Sequence, residues 1–237
     1  MPHFKLLRGL LGAGGLAGCI TLIASNARAA DMVPSFPQRP IVVTGRSLVI
    51  APDLFGTVTL PVRSERYAGQ WERARLDASY HPAMRQLIAP AHGLGRRDQL
   101  FYVQSAVSRR IRWMSDATEW KRHDYWASAR ETLEHGAGDD EDRAILKMQA
   151  LRALGFSSTD LYLTIGKQKI GGPPIAVLLA RMGNEVFLLD DWSGPPIPIS
   201  RKHDFEPILS FSGTSSWLHG KRYARGSAVG LSTSAPK

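Results

Sequence analysis

The chain has 237 residues, enough for one well-formed core or at most two small domains. Its 43% hydrophobic and 22% charged residues exclude a disordered chain, and past the N-terminus no run of about 18 apolar residues offers a membrane span. The formal charge is +9, yet the basic residues are scattered as short pairs (Arg96–Arg97, Arg109–Arg110, Lys121–Arg122, Lys221–Arg222) with no aromatic interleaving, so no nucleic-acid partner is expected.

Residues 1–29 read as an export signal. Lys5 and Arg8 lie ahead of the apolar stretch Gly9 to Ile23, and Ala27-Arg28-Ala29 is a small-x-small cleavage site. A second reading is a lipobox, Leu16-Ala17-Gly18-Cys19, with Cys19 acylated. Against it, the apolar run Ile20 to Ile23 follows that cysteine. Membrane attachment is expected only through a lipidated Cys19. Because Cys19 is the only cysteine, cleavage after Ala29 leaves neither a disulfide nor a thiol nucleophile. Residues 1–29 carry Lys5, Arg8 and Arg28 and no acid, so their removal lowers the formal charge from +9 to +6. Attraction to an anionic polysaccharide of the cell envelope stays open.

Residues 30–65 form an expected extended arm, Pro-punctuated, with short strands in "RPIVVTGRSLVIAP" and "LFGTVTLPV". "ERYAGQWERARLDASYHPAMRQLIA" reads as helix interrupted near Pro82. Leu100, Val103, Val107, Ile111 and Met114 then recur at helical spacing and predict a helix of about five turns. Trp120, Tyr125 and Trp126 read as aromatics holding a loop to the core, ahead of a short helix over Ser128–Leu133. Ala144, Ile145, Met148, Leu151 and Leu154 mark the buried face of the next helix, stopped at Gly155. The rest is strand-like: "DLYLTIGKQ", the hairpin "AVLLARMGNEVFLLD" turning at Gly183–Asn184, and one more strand in "ILSFSGTSSWLHG". Residues 226–237 read as a disordered tail.

The chemistry concentrates in Asp139, Asp140, Glu141 and Asp142, where the helix should begin. Acids in a first helical turn are stabilised by the dipole at about 0.3–1 kcal/mol each. Four in a row also repel one another and call for an answer, either a bound cation or a basic side chain such as Arg143 or Lys147. His135, five residues before Asp140, is a candidate replacement base near the helix start, though no spacing recommends it, and His81, His92, His123, His203 and His219 are single and scattered, read as surface or satisfied groups.

A "GDxED" element opening a helix and followed by antiparallel strands resembles the papain-like transglutaminase superfamily. More narrowly, Arg112 to Gly166 ("RWMSDATEWKRHDYWASARETLEHGAGDDEDRAILK…") resembles the bacterial transglutaminase-like cysteine peptidases, which include calcium-dependent periplasmic proteases that clip surface adhesins. The resemblance implies an α+β fold, helices packed on an antiparallel sheet, over residues 66–225. It also places the triad: the family's GDCED falls on Gly138 to Asp142, HAVL on Ile175 to Leu178 and VLDN on Leu188 to Asp191. The nucleophile position therefore holds Asp140, the base position Ile175, and only the orienting acid, Asp190, is retained. By the same resemblance Asp139, Glu141 and Asp142 are the expected ligands of Ca²⁺, and Asp139, Asp140, Glu141, Asp190, Asp191 and Trp192 line the old substrate cleft.

A carboxylate attacking an amide would give an anhydride with no imidazole to relay protons, and Ile175 can move none. The expectation is an exported homologue that has stopped cutting and binds a peptide or protein. The alternative is a hydrolase rearranged around Asp140 and Asp190, dependent on calcium.

Overall fold

The computed structural model describes residues 52–169, 171–191 and 194–221. The export segment with Cys19, most of the arm, Trp192 and the tail lie outside the described residues. No described helix is long and apolar enough to cross a membrane.

A seven-stranded sheet carries the fold. In chain order its strands are β1 (Val58–Pro61), β4 (Leu161–Gln168), β5 (Ile175–Met182), β6 (Glu185–Leu189), β7 (Ile197–Pro198), β8 (Phe205–Ser212) and β9 (Ser215–Gly220). They lie in the order β1-β9-β8-β4-β5-β6-β7, each pair antiparallel. The last part of the expected arm is thus a sheet edge, with Val58 opposite Gly220. "ILSFSGTSSWLHG" belongs to two strands rather than one: the chain reverses at Gly213–Thr214 and Ser212 pairs with Ser215. The Gly183–Asn184 hairpin forms as its turn residues dictate, closing on the Met182–Glu185 pair.

Alternation along the strands sorts side chains onto two faces. Leu161, Leu163, Ala176, Leu178, Ala180, Phe187, Leu189 and Phe211 join the helix-packed core. Tyr162, Val177, Leu179, Val186, Leu188, Phe205 and Trp217 form a second apolar group on the other side.

The helices are α1 (Ala68–Ala74), α2 (Pro82–Ile88), α3 (Arg96–Arg110), α4 (Asp116–Glu119), α5 (Ala129–His135) and α6 (Asp140–Ala153). Pro82 starts α2 at its first turn, where a missing N–H costs nothing, instead of interrupting a longer helix. The five-turn helix expected from the Leu100–Met114 stripe ends at Arg110. Ile111 turns extended (φ −102°, ψ 115°), and Arg112–Trp113 becomes a short strand, β2. β2 pairs in parallel with β3 (Ala137–Gly138), Trp113 opposite Gly138, so Met114 leaves the helical stripe. At α5 the Ser128 hydroxyl caps the Glu131 N–H and the Glu131 carboxylate answers the Ser128 N–H, a reciprocal box. Gly136 then closes α5 at φ +66°, a conformation that favours glycine.

Helix α6 packs on β4 and β5 and against α3 and α5. The sequence predicted one buried face, but the structure buries α6 nearly all round: besides Ala144, Ile145, Met148 and Leu151 it encloses Asp142, Arg143, Lys147 and Gln149. A helix enclosed on several sides must find partners for polar groups that a surface helix would leave to water.

Candidate functional site

The site is built on the N-terminal end of α6. The β2–β3 pair sets it: Trp113 sits opposite Gly138, and Asp139 is the N-cap of α6. Gly138 is fixed by packing, because a Cβ there would lie 2.7 Å from the Cβ of Asp142.

Behind this end the carboxylates converge. Oxygens of Asp116, Asp139 and Asp142 lie within 4.8 Å of one another, as do those of Asp116, Asp124 and Glu141. Asp142 is fully buried and Asp116 nearly so. The Ala127 N–H donates to Asp142 Oδ1 and the Tyr125 N–H to Asp116 Oδ2. Asp116 Oδ1, Asp139 Oδ1 and Asp142 Oδ2 are buried with no hydrogen-bond partner.

Burial, then the neighbouring carboxylates, pushes Asp139 up to about 7 and Asp142 up to about 9. Glu141 is raised well above the usual range for the same reasons, and burial also raises Asp116 and Glu119. Ionised carboxylates only accept hydrogen bonds, so facing oxygens without donors require protons or a cation between them. The oxygen-only set suits a hard divalent ion.

Of the expected ligands the structure brings Asp139 and Asp142 together with Asp116, and Glu141 with Asp116 and Asp124. Asp116 and Asp124 were not singled out from the sequence; the signal was two acids flanking Trp120, in "SDATEWKRHD". The basic answer expected from Arg143 or Lys147 goes elsewhere. Arg143 Nε lies 3.2 Å from Asp191 Oδ2 and Lys147 Nζ 2.9 Å from Asp191 Oδ1, and Ser108 Oγ donates to that same oxygen. Burial lowers the Lys147 pKa and Asp191 raises it again.

The three positions expected from the family pattern make different direct contacts. Asp140 opens α6, half-buried, with Oδ1 accepting from Trp113 Nε1 at 3.2 Å. Burial raises its carboxyl; the Trp113 bond, Arg143 and Lys147 pull it back down, while Asp191 pushes it up. Ile175 opens β5 and packs with the second apolar group. Asp190 follows Leu189 at the end of β6; its Oδ2 lies 3.8 Å from Lys202 Nζ, and Gln104 donates to its backbone carbonyl. His135 does not approach Asp140: it faces Glu119 at 3.3 Å and stacks on Trp120. His219 is buried and satisfied, with Nδ1 2.7 Å from Thr57 Oγ1 and Nε2 2.7 Å from Ser210 Oγ.

An antiparallel sheet with a central helix whose first turn carries the site defines a transglutaminase-like member of the papain-like α+β class. The model of the family described as bacterial transglutaminase-like cysteine proteinase BTLCP matches residues 80–202, more than half of the chain. The chain belongs to this family. Among solved structures it is similar to LapG of Legionella pneumophila, 26% identical over 63% of this chain and 87% of that one, with a TM-score of 0.50. The calcium-bound form of LapG matches equally, at 26% identity over 64% and 90% of the two chains and a TM-score of 0.50. A comparison with curated protein sequences finds no match.

Proposed function

We propose that the protein is an exported, non-catalytic member of its family that acts in the cell envelope as a peptide- or protein-binding module and holds a calcium ion in the acid cluster. The observation that carries this reading is Asp140, a carboxylate at the helix start where the family has its thiol, with no imidazole to serve it. Acyl transfer needs a nucleophile, a base within hydrogen-bond reach and a group orienting that base. Here Asp140 is bonded to Trp113, Ile175 packs among apolar side chains and Asp190 lies near Lys202. The lack of a proton-moving group at Ile175 weighs equally against a hydrolase rearranged around Asp140 and Asp190.

Calcium is supported by the three orphaned buried oxygens of Asp116, Asp139 and Asp142 and by the hardness of the donors. When bound, the ion would neutralise repulsion among these carboxylates and tie α4 to the start of α6. The chain keeps this part of a family site while lacking the cutting groups, which suits a fold retained for recognition.

The test is turnover by the purified protein on protein and ester substrates, with and without calcium. No cleavage in either condition is expected. Cleavage that disappears in Asp140→Ala would overturn the proposal.

A further inference from the structure

A peptide-binding cleft must recognise something, and the start of α6 carries a pair of groups suited to one chemistry. We infer that Trp113 and Asp140 form a subsite for a cationic side chain, an arginine or lysine presented by an extended peptide. This inference rests on the binding-module reading above and specifies its ligand.

Trp113 is 51% exposed, unusual for a side chain of that apolar area. The residue is held by the two-residue strand β2 against β3, and its indole N–H is spent on Asp140 Oδ1 at 3.2 Å. That bond holds the ring by its edge, and among the described residues no other ring and no cation lies against it. An exposed indole face attracts cations through the ring quadrupole, and the attraction strengthens with a carboxylate alongside.

Asp140 supplies that carboxylate. Its side chain makes one hydrogen bond among the described residues, to Trp113, and no ion pair. Arg143 and Lys147 act on Asp140, but their ion pairs are with Asp191, at 3.2 and 2.9 Å. The exposed Arg112, next in sequence to Trp113, acts on Glu119. A guanidinium suits the pair best, since its flat face stacks on the indole while an edge N–H reaches Asp140 Oδ2.

The test uses the full chain, titrated first without calcium and then with calcium added. The Trp113 indole N–H is followed by proton–nitrogen NMR, assigned by its loss in Trp113→Phe, during titration with N-acetyl-arginine methylamide and with its uncharged citrulline isostere. The arginine probe is expected to move the Trp113 signal saturably. The citrulline probe should bind at least tenfold more weakly, and Asp140→Asn should bring the arginine probe down to the citrulline level. Equal response to the two probes, or none to either, overturns the subsite. So does displacement of the arginine probe by added calcium, which would assign Asp140 to the ion. An uncharged peptide such as acetyl-pentaalanine amide that moves Trp113 as strongly would sink the subsite and leave the peptide-binding reading standing. Should Asp140→Asn fail to fold, the arginine-to-citrulline ratio on the unaltered chain decides alone.

Discussion

Among the described residues, the buried polar groups around His219 and those at the start of α6 differ in kind. On the sheet face away from the helices, Thr164 Oγ1, Ser210 Oγ, His219 and Thr57 Oγ1 run in a line with spacings of 2.8, 2.7 and 2.7 Å. Thr57 donates to the Leu54 carbonyl, so its oxygen accepts from His219 Nδ1–H; Nε2 then accepts from Ser210, and Ser210 accepts from Thr164. Every donor finds an acceptor with the ring neutral. At the start of α6 the groups are all acceptors, and three buried oxygens have no partner. The first network is complete as protein and is structural. The second is completed only by protons or by a cation.

The contrast can be broken most forcefully at the incomplete network. Calcium at about a hundred times its dissociation constant is expected to add about 2.7 kcal/mol, which for a domain of this size raises the melting temperature by roughly 5–10 °C. The rise should vanish with a chelator and in the double variant Asp139→Asn/Asp142→Asn. Calorimetric melting with and without calcium checks it, and an unchanged melting temperature sinks the ion site.

The complete network answers pH instead. Burial lowers the His219 pKa to about 4 from 6.5. The folded pKa lies below the unfolded one, so the unfolded chain takes up the proton first as pH falls. Above pH 6.5 His219 imposes no penalty. Between 6.5 and 4 it destabilises progressively, up to about 3 kcal/mol in total. Urea midpoints measured at pH 7.5, 5.5 and 4.5 should fall less steeply in His219→Gln than in the unaltered protein. Parallel slopes would show that His219 titrates normally.

The smallest expected effect lies at the packing that positions the acids. Gly138→Ala places a Cβ 2.7 Å from Asp142 Cβ and forces β3 away from α6, at a cost of about 1–3 kcal/mol. It should also weaken calcium binding by displacing Asp142, whereas a Ser128→Ala change at the α5 cap should cost about 1 kcal/mol and leave the ion site alone.

How much was legible follows from the range of each interaction. The Ser128–Glu131 box, the Gly183–Asn184 hairpin and the acidic start of α6 are set by residues within a few positions of one another, and their spacing announces them. The end of α3 was misplaced because Met114 keeps helical spacing while β2 pairs with β3, 25 residues further on. The last two strands read as one because a glycine turn within an apolar run leaves the strand period almost intact. Asp116 escaped notice because it joins Asp139 and Asp142 across more than 20 residues, and Lys147 was assigned to the acids beside it when its partner, Asp191, lies 44 residues away.

By itself the sequence determined the α+β architecture and the acidic start of α6, and it set the expectation that Asp140 and Ile175 stand where the family has its thiol and imidazole. These rest on local spacing and on residue identity, which need no coordinates. Only the tertiary structure decided which charges answer each other. It gave Arg143 and Lys147 to Asp191, Trp113 to Asp140, and left Asp116, Asp139 and Asp142 facing one another. The physical reason is that a helix enclosed on several sides takes its polar partners from whichever elements pack against it, and those elements are distant in the chain.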